Sequence, residues 1–340
     1  LAEAKIAALE QRIQSDEPFA LTAEEKRYFL WQLHVIRLVN TRGQGLTERV
    51  SKLRQALEEA EQQDNYVYGF VLFTLSNAAL ISGDLEDAAQ LFEHVVIYSQ
   101  AHDILTGYLH ALSDLARIRK YQARLEDAQQ IYRQGLDFAE RENVHIGAKA
   151  DAQTGLMQIA LERNDLTAAG AWAAAIPAFI DAMERSGMPW GPMIKAICRY
   201  VEYCLTLGDN ASAHFYFRYT AHYAGQQTDA NPDLLPEFIA VQTRLWIMDG
   251  QLAQGIRQLQ GRIRTLQSEQ LTCLAEKIAL ARLFLAAQDY PAARSLLEAC
   301  AAEAAQRGMT ERQMEVSILQ AIAQWNSPHP AGALPAFEQA

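Results

Sequence analysis

Apolar residues return along this chain at three- and four-residue spacings, and the stretches that carry them are themselves repeated. "FVLFTLSNAALIS" and "EKIALARLFLAA" each place their apolar side chains at helical period and then run into a short break. After the breaks come "GDLEDAAQLF" from Gly83, "ARLEDAQQIY" from Ala123, "NDLTAAGAWA" from Asn164 and "GDNASAHFYF" from Gly208. "GQLAQGIRQL" from Gly250, "QDYPAARSLL" from Gln288 and "PHPAGALPAF" from Pro328 continue the series. Successive starts lie 40, 41, 44, 42, 38 and 40 residues apart. Five positions after each start the residue is small: Ala88, Ala128, Ala169, Ala213, Gly255, Ala293 and Ala333. Nine positions after, it is mostly large: Phe92, Tyr132, Ala173, Phe217, Leu259, Leu297 and Phe337. Seven positions before stand Ser76, Ala116, Met157, Val201, Thr243, Ala281 and Ala321, mostly small again.

Each unit therefore reads as a helix A, a tight turn and a helix B. The small residue lets a partner helix approach, and the large one four positions later fills the gap beside it. Small before the turn, then small and large after it, is the tetratricopeptide arrangement, although that repeat is usually about 34 residues long. Alternating strand-like patterns are absent. The expected fold is all-α, a tetratricopeptide-like right-handed superhelix of antiparallel helix hairpins with a period of about 40 residues, coiled around an open trough. Residues 1–340 read as one superhelix, less regular over 1–65 and built of regular helix pairs over 66–340.

Composition agrees with ordered helix: hydrophobic residues are 50%, charged residues 21%, and prolines number only 10. The net charge of −11 argues against a nucleic-acid surface, which needs a clustered basic face. No apolar run is long enough to span a membrane and no secretory leader is seen. Cys198, Cys204, Cys273 and Cys300 form no C-x-x-C pair and read as reduced thiols of a cytoplasmic protein. The chain opens on Leu1 inside one helical pattern and closes inside another, as a segment of a longer protein would.

Candidate chemistry is sparse. Zinc spacings, a nucleophile elbow and a phosphate loop are all missing, so no catalytic residue, metal site or cofactor is expected in this segment and the chain is not expected to be an enzyme. A surface is the better candidate. Helix A should line the concave wall, and six positions before each start the residues are Asn77, Arg117, Gln158, Glu202, Arg244 and Arg282, with Ile322 the exception. Seven positions earlier stand Phe70, His110, Asp151, Lys195, Glu237, Ala275 and Glu315. This polar ladder either grips a ligand or partner in the groove or makes hydrogen bonds and ion pairs between helices. Arg244 and Arg282 could fork onto a carboxylate or phosphate.

"HFYFRYTAHY", residues 214–223, crowds aromatic rings onto one helix B. Tyr216 and Phe217 fall on core positions. Phe215, Tyr219 and His222 stand at i, i+4 and i+7, one stripe of the convex face. Either the connection "AGQQTDANPDLLPEF" covers them, with Leu234 and Leu235 as lids, or they dock a neighbouring domain or a second protomer. Trp190, between two prolines and two glycines, reads as a packing residue or as a ligand platform. Trp172, Trp246 and Trp325 read as core.

"LERNDLTAAGAWA", "LARIRKYQARLEDAQQIYRQGLDFA" and "LARLFLAAQDYPAARSLLEACAAEAAQRG", with the final "ALPAFEQA", resemble the superhelical region of MalT-like, LuxR-type transcription regulators from about residue 50 to 340. That resemblance implies a parent with a signal-transduction ATPase domain before the superhelix and a helix-turn-helix after it. It also implies that the superhelix binds a small-molecule inducer or a regulatory protein, with possible self-association and no direct DNA or membrane contact. The alternative is a tetratricopeptide adaptor or scaffold that binds peptides or proteins constitutively.

Overall fold

The computed structural model describes residues 2–15, 46–61, 65–143, 146–186, 190–224, 236–268 and 273–326, with scattered positions between 22 and 33. Its helices are α1 Ala2–Gln14, α2 Leu46–Glu61, α3 Asn65–Ser82, α4 Leu85–Ala101, α5 Leu105–Tyr121, α6 Leu125–Arg141, α7 Ile146–Glu162 and α8 Leu166–Ala173. They continue as α9 Ile176–Ser186, α10 Trp190–Leu207, α11 Asn210–Ala224, α12 Pro236–Met248, α13 Leu252–Ser268, α14 Leu274–Ala286, α15 Tyr290–Gln306 and α16 Thr310–Trp325. Among the described residues there is no strand. The unit that begins at Pro328 lies outside the described residues.

The six described repeat starts share one backbone device. Gly83, Ala123, Asn164, Gly208, Gly250 and Gln288 all have positive φ, between 55° and 85°. Each closes helix A with a Schellman pair. At the first, the Gly83 N–H donates to the Leu80 carbonyl and the Asp84 N–H reaches back to Ala79. The same pair recurs from Asn164 and Asp165 to Leu161 and Ala160, and from Gln288 and Asp289 to Leu285 and Phe284. The following residue then starts helix B. Asp84, Asp165, Asp209 and Asp289 accept from the backbone N–H three residues on, satisfying a donor that the helix itself leaves orphaned.

The small-and-large pattern is the core. Ala88, Ala128, Ala169, Ala213 and Ala293 have no exposed surface, and Ser76, Ala116, Met157, Val201, Thr243 and Ala281 before the turn have none either. Phe92, Tyr132, Ala173, Leu259 and Leu297 are buried beside them, while Phe217 is half-buried and stacks on Phe238. Helix A packs on helix A of the next unit (α3 on α5, then α7, α10, α12, α14 and α16), and the B helices pack between their own helix A and the following one, except α11, which meets α12 through Phe217 and Phe238. The A helices therefore form the inner wall and the B helices the outer one. Trp246 joins the core as expected; Trp325 does not, being 58% exposed on the last described helix.

Two features depart from the expected regularity. Helix B of the third unit is cut into α8 and α9 at Ala174–Ala175. Pro177 is the cause, since it has no N–H to give to the preceding turn and its ring clashes there. Second, the trough is not open along its length. Rotation accumulates per unit until α16 packs against α5, most of a superhelical turn away. Met309 packs into the apolar cluster of the first unit. Arg307 Nη1 donates to the carbonyl of Ser82 at 2.8 Å, placing a cation on the negative C-terminal end of α3. A cleft of about 800 Å³ lies along this seam, between the Gly83 turn and Arg307.

Candidate functional site

Where the coil closes, five A helices face one another and bring their polar side chains together. Lys120, at the end of α5, is 6% exposed. Its Nζ lies 3.0 Å from Glu162 of α7 and 2.9 Å from Glu311 of α16, across 191 residues of sequence in the second case. A lone ammonium could not be held here. With two carboxylates its desolvation is offset. Burial lowers the Lys120 pKa, but Glu311 and Glu162 outweigh burial and hold it above the ordinary lysine value. The same burial pushes Glu162 up.

Beside this triad is a cavity of about 120 Å³, lined by Arg117, Gln158, Arg199, Glu202 and Glu237 together with Lys120, Glu162, Glu311 and Arg312. Arg199 of α10 is 4% exposed; its Nη1 donates to Thr154 Oγ1 at 2.9 Å, and its Nη2 is 3.8 Å from Glu237. Burial would raise the Glu237 carboxyl, yet Arg199, Lys195 and Arg117 together hold it down at about 2. Lys195 is lowered, first by repulsion from Arg117 and then by burial. Cations and carboxylates therefore alternate around the cavity, Arg117, Lys195 and Arg199 among Asp114, Asp151 and Glu237, and Lys120 and Arg312 among Glu162 and Glu311.

The residues of the polar ladder fall in two kinds of surroundings. Arg117, Gln158, Glu202 and Glu237 come together in the cavity, and Lys195 and Asp151 add to its field from behind. Asn77 is spent on its own helix, where Nδ2 donates to the Phe73 carbonyl. His110 lies against the Phe73 ring. Arg282 pairs with Glu315 of the next unit at 2.9 Å, and Arg244 lies 3.8 Å from Glu202, so neither is an unclaimed fork for an outside anion.

Sequence reading missed Lys120, Arg199, Glu162, Glu311 and Arg312. A signal for Lys120 was present: three positions before each turn the other units carry Leu80, Leu161, Leu205, Ile247, Leu285 and Trp325. A lysine in that apolar row needs buried partners. Arg199 gave a weaker signal, because its row holds Gly155, Val241, Ala279 and Leu319 but also Thr74 and Asp114. Nothing local announced Glu311, because it meets Lys120 only after the coil has closed.

On the outer wall Phe215 is 57% exposed. Its ring is stacked with Tyr219, centroids 6.5 Å apart, and meets Tyr216 edge-on. Tyr216 turns inward against Tyr200. The side chains of His222 and Trp190 and the proposed lids Leu234 and Leu235 lie outside the described residues. Among the described residues no group of three His, Cys, Asp or Glu side chains could hold a metal ion, and no helix is long and apolar enough to cross a membrane.

The family model for the MalT-like TPR region matches residues 38–340. The chain belongs to that family. No curated protein sequence matches it. Among solved structures this MalT-like TPR region is similar to the apo form of RapI, at 11% identity over 92% of this chain and 100% of that one, with a TM-score of 0.51. That likeness shows the shared fold. A tetratricopeptide repeat protein from Parabacteroides merdae matches 82% of this chain and 92% of its own at 12% identity and a TM-score of 0.43. BtubC from P. vanneervenii matches 66% and 92% at 16% identity and 0.46. The MalT-like TPR region is thus a helical repeat domain of the sensor or scaffold kind.

Proposed function

We propose that this chain is the sensing arm of a LuxR-type, MalT-like transcription regulator, a non-catalytic domain that binds a small inducer or a regulatory protein inside its coil. One observation supports this above the others: the charged cavity lies where α5, α7, α10 and α12 meet α16. A ligand seated there touches both sides of the seam. It favours the closed coil by the difference between its affinities for the closed and open states, and by no more than that. Small rotations between units add along a solenoid, so a change at the seam reaches both ends. ATPase and DNA-reading domains would belong to the parent protein, acting in the cytoplasm, and this segment would need no cofactor.

Thermal melts of the 340-residue chain against a metabolite library and against the parent's other domains test the reading. A ligand at one hundred times its Kd should add about 2.7 kcal/mol of stability. Turnover by the isolated chain, or no stabilisation by any small molecule or protein, would count against it. A second reading, a constitutive adaptor, draws on the exposed Phe215 and its stacked Tyr219 on the outer wall. Binding of a folded protein that Phe215→Ser abolishes, with no small-molecule effect, would favour that adaptor.

A further inference from the structure

The cavity's chemistry narrows the kind of molecule it could hold. Among the described residues, three buried side-chain polar atoms have no hydrogen-bond partner: Arg117 Nε, Arg199 Nε and Glu311 Oε2. All three belong to residues that line this one cavity. Two are donors on cations and one is an acceptor on a carboxylate, and a buried polar group without a partner is costly to leave so. A simple anion would satisfy the first two and repel the third, and a simple cation would do the reverse. The lining itself carries four cationic and four carboxylate side chains. A guest with net charge would upset that balance, whereas a guest with one charge of each sign would not. At about 120 Å³ the space equals roughly four waters of about 30 Å³ each, which limits the guest to a few heavy atoms.

We infer that the cavity is a subsite for a small zwitterion of the α-amino-acid class. Its carboxylate meets Arg117 and Arg199, and its ammonium meets Glu202 and Glu311. The unpartnered atoms set the orientation, Arg117 Nε and Arg199 Nε for the carboxylate and Glu311 Oε2 for the ammonium. Around them the charges are balanced: Arg117, Lys195 and Arg199 stand among Asp114, Asp151 and Glu237, and Lys120 and Arg312 stand among Glu162 and Glu311. Because Glu311 stands on α16 and Arg117 on α5, such a guest would tie the seam shut. This inference rests on the sensing reading and gives it a ligand class.

Calorimetry on the 340-residue chain decides it, with glycine, L-alanine and L-serine as probes and propionate, ethylamine and glycerol as controls. At least one amino acid is expected to bind at one per chain, with every control at least tenfold weaker. Arg117→Gln and Glu202→Gln should each weaken that binding at least tenfold. Glu202 is 38% exposed, so its variant keeps the fold and decides the matter if the arginine variant does not. Propionate or ethylamine binding as tightly as alanine would overturn the zwitterion, and so would amino-acid binding unchanged in Glu202→Gln. If no amino acid binds while another metabolite or a protein partner does, this inference falls and the sensing reading stands. If nothing binds, both fall.

Discussion

At the residue scale, the inner wall is shaped by which side chains are permitted to be large. Gly155 of α7 lies under the buried Tyr132 ring of the preceding unit, and a Cβ there would collide with the ring. Gly155→Ala is expected to cost about 1–3 kcal/mol in denaturant unfolding, because the buried ring must shift to make room for the methyl group. The row of small residues around it was legible in the sequence; this particular close approach was not, because it pairs one unit's exception with another's rule. Glu237 gives a second test. Its folded pKa near 2 is depressed from an ordinary 4.5, so its contribution to stability is complete above about pH 4.5 and is lost as pH falls towards 2. Glu237→Gln should cost about 3 kcal/mol at pH 7, since it strands Arg199 among other cations. The deficit should shrink through that acid window. A deficit that is constant with pH would show the carboxylate is not held as described.

At the element scale, the unit boundary is one motif used six times, a left-handed residue that ends helix A and an N-cap that opens helix B. The spacing of the starts was plain in the sequence because glycine and aspartate mark it at Gly83–Asp84 and Gly208–Asp209. It was also readable where Ala123 and Gln288 replace glycine, since the small residue five positions on holds the register. Asp84→Ala and Asp165→Ala should each cost about 1 kcal/mol by loss of the cap. Arg124 and the residues after it make no such side-chain cap, so Arg124→Ala should fall within about 0.5 kcal/mol of the parent. The split of α8 from α9 was signalled by Pro177 and passed over, because the apolar pattern on either side continues at helical period.

At the scale of the whole molecule, the sequence shows what repeats and conceals what closes. Nearest-neighbour packing follows from the small and large rows, and those are periodic. The seam depends on how much each unit rotates against the next, which no row of residues records. The candidate site inherits that divide: Arg117, Gln158, Glu202 and Glu237 were found by their period, whereas Glu311 and Arg312 enter only through closure. A double-mutant cycle between Lys120 and Glu311 tests the closed coil most directly. Lys120→Met, Glu311→Gln and the pair are compared by denaturant unfolding. A closed coil predicts a coupling of about 0.5–3 kcal/mol between residues 191 positions apart. Additivity within about 0.3–0.5 kcal/mol would mean the two side chains do not meet, and would contradict the cavity built on them.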